Sequence, residues 1–145
     1  MRQSLSEQRT TTALVLLAIA LTLVLGVTGL ADQLGSRSLM DHASAMYGPH
    51  GKDADASLMY GLLYTVAVID LVLWSLVLRS ARAGGRWTML LTAVVTVVGG
   101  GLAGLLLGSR EYGEQIFPTV WGVMALLSPA VGVALLAQLI RRRSS

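Results

Sequence analysis

The chain has no cysteine and no asparagine among its 145 residues, one lysine, one phenylalanine, three prolines and only 13% charged side chains. Each shortage excludes something. Without thiols there is no disulfide exchange, thiolate nucleophile, Cys-ligated metal or quinone–dithiol chemistry. The two histidines, His42 and His50, share one polar stretch, so no apolar run can supply paired haem ligands. Soluble proteins carry about 25% charged residues. Half that value, with 54% apolar residues and a mean hydropathy of +0.66, points to an integral membrane protein. The pI of 9.8 does not imply nucleic acid. The basic residues sit in short flanks between apolar runs, where orientation in a bilayer accounts for them. The missing Asn, the excess of Arg over Lys and the abundance of Ala, Gly, Leu and Val suggest a GC-rich bacterial gene.

What is present is four apolar runs, each near the ~20 residues that cross hydrocarbon as a helix. The spans are read as 12–31, 58–78, 87–108 and 116–140. This is one transmembrane domain over 1–145, an all-α four-helix bundle. The first run could instead be a secretory signal cleaved after Gly29-Leu30-Ala31. Its roughly 18 apolar residues are long for a signal core and right for a span. Ser4 and Glu7 have capping-box spacing, so the first helix is expected to begin ahead of the membrane. Pro118 falls in the first turn of the last span. Pro129, in its interior, is expected to kink the helix and free the carbonyl of Ala125.

The third span holds Thr92, Thr96, Gly100, Gly104 and Gly108 at every fourth position, a ridge on one helix face. Small-xxx-small ridges let helices approach closely in lipid, where van der Waals contact is the main attraction. This ridge is therefore expected to be the spine of the bundle, with packing inside one chain somewhat favoured over packing between copies.

The long connection 32–57 carries four aspartates and both histidines. Leu39, Met40, Ala43, Met46 and Tyr47 follow a helical pattern, Ser38 and Asp41 repeat the capping-box spacing, and Gly48-Pro49 would end the helix. A short amphipathic helix lying on the bilayer surface is expected. His42 and His50 with Asp41, Asp53 and Asp55 lack any recognised metal spacing, so no metal and no cofactor is assigned.

Asp70 is the one ionisable residue deep in a span, roughly 3 Å from its midplane. A carboxylate there costs about 2.5–3.5 kcal/mol on insertion scales and marks function by default. Thr22, Thr96 and Ser128 lie within about 2 Å of their own midplanes, giving a candidate proton or hydrogen-bond layer. No cation shares that depth, so the surroundings favour the neutral acid. Three roles are open: interhelical hydrogen-bond glue (the leading one), proton or cation coupling, and docking to a basic residue of a partner. Tyr60 and Tyr64, one turn apart, with Arg110 and Glu111 form a possible outer vestibule. An interfacial aromatic belt with a rim ion pair is the favoured alternative.

No enzyme constellation emerges. The leading reading is a non-enzymatic structural or accessory subunit acting by helix packing and an acidic external loop. Its expected partners are the bilayer and either a second copy or another membrane protein. The alternative is a small oligomeric proton- or cation-coupled transporter or channel using Asp70. Eight Lys and Arg residues fall in the N-terminus, second loop and C-terminus, against three in the first and third loops. The positive-inside rule therefore puts both termini in the cytoplasm, in the inner (plasma) membrane. A reporter fused after Ser145, or inserted between Arg79 and Arg86, is expected to read cytoplasmic. One placed between Asp32 and Ala56 is expected to read external, and a periplasmic signal from the C-terminal fusion would overturn the layout.

Overall fold

The computed structural model describes the backbone of residues 2–144 and the side chains of 4–144. Four long helices dominate: α1 (Arg2–Leu34), α3 (Ala56–Arg82), α4 (Thr88–Gly108) and α5 (Thr119–Arg143). Each is long and apolar enough to cross a membrane. A short helix α2 (Ser38–Tyr47) and a 3₁₀ turn (Gly48–His50) join α1 to α3. A two-residue hairpin, β1 (Arg110–Glu111) with β2 (Glu114–Gln115), joins α4 to α5. α1 packs on α3 and α5, and α4 also packs on α3 and α5, most extensively on α5. The four helices thus form a closed ring. Val97, Val27, Leu105 and Val133 are among the many large apolar side chains left on the outside, a surface suited to hydrocarbon rather than water.

The helices run past the expected spans because their polar flanks stay helical. α1 is already under way at Arg2, so Ser4 sits inside the helix and is not its cap. Pro118 precedes α5 with an extended ψ of 141°, just outside the first turn. At the other end of α3, Gly84 takes a left-handed φ of 63°. Its amide donates to the Ala81 carbonyl at 3.2 Å and that of Gly85 to Ser80 at 2.9 Å. Orphan carbonyls of the last turn are satisfied in this way, and the chain reverses within a few residues.

The interior divides in two. One cluster centres on Leu25, Leu63, Tyr60, Leu106, Phe117 and Trp121, the other on Val15, Ala18, Trp74, Val77, Val95 and Leu135. The apolar face of α2 is turned onto the bundle. Its Leu39, Ala43 and Met46 are buried, and Leu39 and Ala43 join the first cluster, capping one end of the bundle. That face shares its cluster with side chains of α1 and α3, Leu25, Met59 and Tyr60 among them.

Nor does Ser38 cap α2. The capping acceptor is Asp32, in the last turn of α1. Its carboxylate accepts from the amides of Ser38 (2.8 Å) and Leu39 (3.1 Å) and from the hydroxyls of Ser36 (2.7 Å), Ser38 (2.5 Å) and Tyr60 (2.7 Å). The residue before α2, Arg37, has a φ of 54° and no side-chain cap of its own. At the opposite end, Arg142 of α5 donates to the Glu7 carbonyl at 2.7 Å and the Thr11 hydroxyl at 3.0 Å, tying the last helix to the first.

The ridge on α4 divides as well. Thr92 is fully buried and Gly100 meets Pro129, but Gly104 and Gly108 are exposed, and a Cβ on either would meet nothing within 4 Å. The face of α4 that points inward is Thr88, Thr92, Val95, Gly99, Ala103 and Leu106. Close approach is made by glycines of α5: a Cβ on Gly132 would collide with Thr96, and one on Gly122 with Leu107. Gly132→Leu is therefore expected to cost about 1–3 kcal/mol by overpacking, seen as a lower thermal midpoint in detergent. Gly104→Leu is expected to leave the midpoint unchanged. The reverse ranking would restore the α4 ridge as the spine.

Candidate functional site

The boundary between the two core clusters is where the chemistry collects. On α1, Thr22 separates Ala18 of one cluster from Leu25 of the other; on α3, Asp70 separates Trp74 from Ala67. Gly99 separates Val95 from Ala103 on α4, and Ser128 lies between Leu135 and Ala125 on α5. Thr22, Asp70 and Ser128 are at most 3% exposed, and Thr96 is half-buried one turn from Gly100. The structure sets Thr22, Asp70 and Ser128 at this boundary, with Asp70 against Gly99, while Thr96 lies about one turn along α4, against Gly132.

It does not turn the hydroxyls toward the acid. Thr22 donates to the Ala18 carbonyl (3.0 Å) and Thr96 to that of Thr92 (2.7 Å), each within its own helix. Ser128 accepts the indole N–H of Trp74 at 2.6 Å, so the interhelical bond at this level belongs to Trp74. Asp70 Oδ1 is buried and, among the described residues, has no hydrogen-bond partner. The carboxyl lies against the backbone of Gly99, where a Cβ would stand 2.9 Å from Oδ1. Glycine at 99 is thus what gives the acid its space. A carboxyl this deep normally finds partners, because an unmet polar group costs about 1–3 kcal/mol. This one is enclosed without the return that hydrogen-bond glue would bring.

At the capped end the vestibule residues divide between two neighbours. Tyr60 and Tyr64 share a face, ring centroids 6.3 Å apart, but both turn toward the end of α1, Tyr60 to Asp32 and Tyr64 to Gln33. Glu111 instead accepts the Tyr47 hydroxyl at 2.6 Å, while Arg110 is exposed on the hairpin. The hairpin turn is Tyr112-Gly113, with φ of 53° and 82°. Positive φ at both central residues suits the twist of a two-residue hairpin, and glycine adopts it freely while tyrosine does so at a cost. Tyr112 is held there by its surroundings. His50 stacks on its ring at 3.8 Å, Tyr47 meets its edge at 6.3 Å, and the Lys52 ammonium lies 5.2 Å from its centroid. His42 donates to the Gln115 carbonyl at 2.8 Å, fastening α2 to β2.

Both histidines are thus used in the cap's own packing. Asp55 caps α3 through the amides of Ser57 and Leu58. Among the described residues no three His, Asp or Glu side chains gather closely enough to hold a metal ion. Sequence reasoning missed Asp32 as the central acceptor. The available signal was an acid just past an apolar run and six residues before a helical pattern.

No protein-family model, curated protein or solved structure matches the chain.

The Tyr47–Glu111 bond reports on the cap. That bond, with burial and the carboxylate charge, pushes the Tyr47 phenol up from 10.0 to about 12. The raised value means the bond's contribution to stability is complete below about pH 10 and is lost as pH climbs through about 12. In Glu111→Gln the phenol is expected to titrate back toward its ordinary range, followed by isotope-edited NMR of the tyrosine rings. An unmoved titration would show that hairpin and α2 are not joined through this pair.

Proposed function

We propose that the chain is a non-enzymatic multi-pass protein of the inner membrane, a structural or accessory subunit with both termini in the cytoplasm and the cap outside. The observation that carries the reading is the cap itself. Segments that could have been loose loops are bound to one another and to the bundle through Asp32, Tyr47, His42 and the Tyr112 stack. Holding a surface rigid in advance lowers the entropy that a partner must overcome on binding. Asp41, Ser44 and Asp53 are exposed on that surface. The outward part of the α4 ridge adds a second contact: Gly101, Gly104 and Gly108 form a smooth strip beside Val97, which is 74% exposed. A helix from another chain could lie closely along it. The charge asymmetry supports the orientation.

Photo-crosslinking groups at Asp41 and Asp53 on the cap, and at Val97 and Leu105 beside the strip, test this in native membranes. A discrete protein adduct from either set is expected. If all four positions yield no protein adduct, the accessory-subunit reading is overturned.

A second reading rests on the orphaned Oδ1 of Asp70. A buried acid that gives no interhelical bond is suited to taking up and releasing a proton, as a coupled carrier requires. Asp70→Asn keeps the size and hydrogen-bonding capacity of the acid but not the proton. It is expected to match the wild type in thermal stability. In liposomes holding a pH dye under an imposed gradient, a wild-type flux abolished by Asp70→Asn would establish coupling. Equal, background-level fluxes for wild type and Asp70→Asn would exclude a constitutively open proton path.

A further inference from the structure

We propose that the groove between the start of α4 and the end of α5 is a binding site for an anionic phospholipid. The groove, about 470 Å³, is lined by Arg86, Trp87, Met89, Leu90, Ala93 and Arg143. Its two guanidinium groups come from different segments, Arg86 from the α3–α4 connection and Arg143 from the last turn of α5. No carboxylate is among the lining residues. Two cations on one small hollow with no acid beside them call for a ligand of negative charge.

The rest of the lining says which kind. Trp87 is 54% exposed, and the Arg86 guanidinium sits 5.4 Å from its ring centroid. Stacking on the indole holds the fork of Arg86 in place at the groove's rim, where it can meet a phosphate with two N–H groups. Beyond the tryptophan the lining becomes aliphatic, with Met89, Leu90 and Ala93 following along α4. Charge, then an interfacial ring, then hydrocarbon is the order in which a phospholipid presents phosphate, ester region and acyl chain. The first turn of α4 has no side-chain cap, so the positive end of its dipole adds to the same field. A zwitterionic headgroup would bring its ammonium toward the two arginines and be disfavoured, which selects for net negative lipid.

The inference rests on the chain lying in a bilayer with this end at a membrane surface. The experiment uses the full chain, extracted in mild detergent and titrated with phosphatidylglycerol or phosphatidylcholine, with bound lipid counted by native mass spectrometry. Wild type is expected to retain phosphatidylglycerol selectively. The double variant Arg86→Gln/Arg143→Gln is expected to lose it, at about fivefold in affinity for each guanidinium. Arg79→Gln/Arg82→Gln removes the same charge from exposed positions that do not line the groove and is expected to retain the lipid. Ala93→Phe, which fills the aliphatic part and leaves both arginines, is expected to weaken retention as well.

Equal loss in both arginine pairs would reduce the effect to general surface charge and overturn the site. So would retention by the Arg86→Gln/Arg143→Gln protein, or equal retention of phosphatidylcholine. Displacement of the lipid by millimolar inorganic phosphate would assign the groove to a free anion instead. A chain released from membranes by alkaline wash would overturn the bilayer reading itself, separately from the site.

Discussion

The Asp32 carboxylate accepts five hydrogen bonds from three parts of the chain, and the capped end of the molecule depends on it. Two of the donors are amides at the start of α2, where a helix leaves its first N–H groups without partners. A third is the phenol of Tyr60, which belongs to α3. One side chain therefore ends α1, starts α2 and positions α3. A carboxylate accepting amide donors at a helix start is also favoured by the helix dipole. Because the site is buried, with Asp32 only 7% exposed, the bonds form away from competing water. Without them α2 would have an unsatisfied end directly over an apolar core.

Asp70 is the opposite case. Both residues are buried acids, yet Asp32 sits among donors and Asp70 beside the bare backbone of Gly99. The hydroxyls of Thr22, Thr96 and Ser128 are already engaged, two by carbonyls of their own helices and one by Trp74. A threonine in hydrocarbon can always turn back to the carbonyl four residues earlier, and this option is as good as any neighbour. That competition leaves Asp70 Oδ1 without a hydroxyl partner among the described residues.

The four long helices were legible because apolar runs of this length leave the backbone no alternative in lipid. Their inward faces were not. When lipid is as apolar as the core, a strip of small residues reads the same whether it meets a helix of its own chain or the bilayer. Gly104 and Gly132 look alike in sequence, yet one is open and the other lies against Thr96. The depth of Asp70 within its own helix could be counted from helix rise, since rise is fixed. Which way each hydroxyl turns could not, because it depends on rotamers and neighbours. The helical pattern of α2 was legible too. The partner of its apolar face was not, since a membrane surface or the end of the bundle would have satisfied it alike.

The polar boundary between the two clusters divides the interior packing. Trp74 and Val95 share no cluster partners with Leu63 and Phe117, and each group closes its own half of the ring. Perturbations without shared partners add in their effects on stability, whereas those within one packed group do not. The bundle is thus two short barrels of helix set end to end, continuous in backbone but separate in side-chain packing. Asp70 and Gly99 stand where the two packed groups meet.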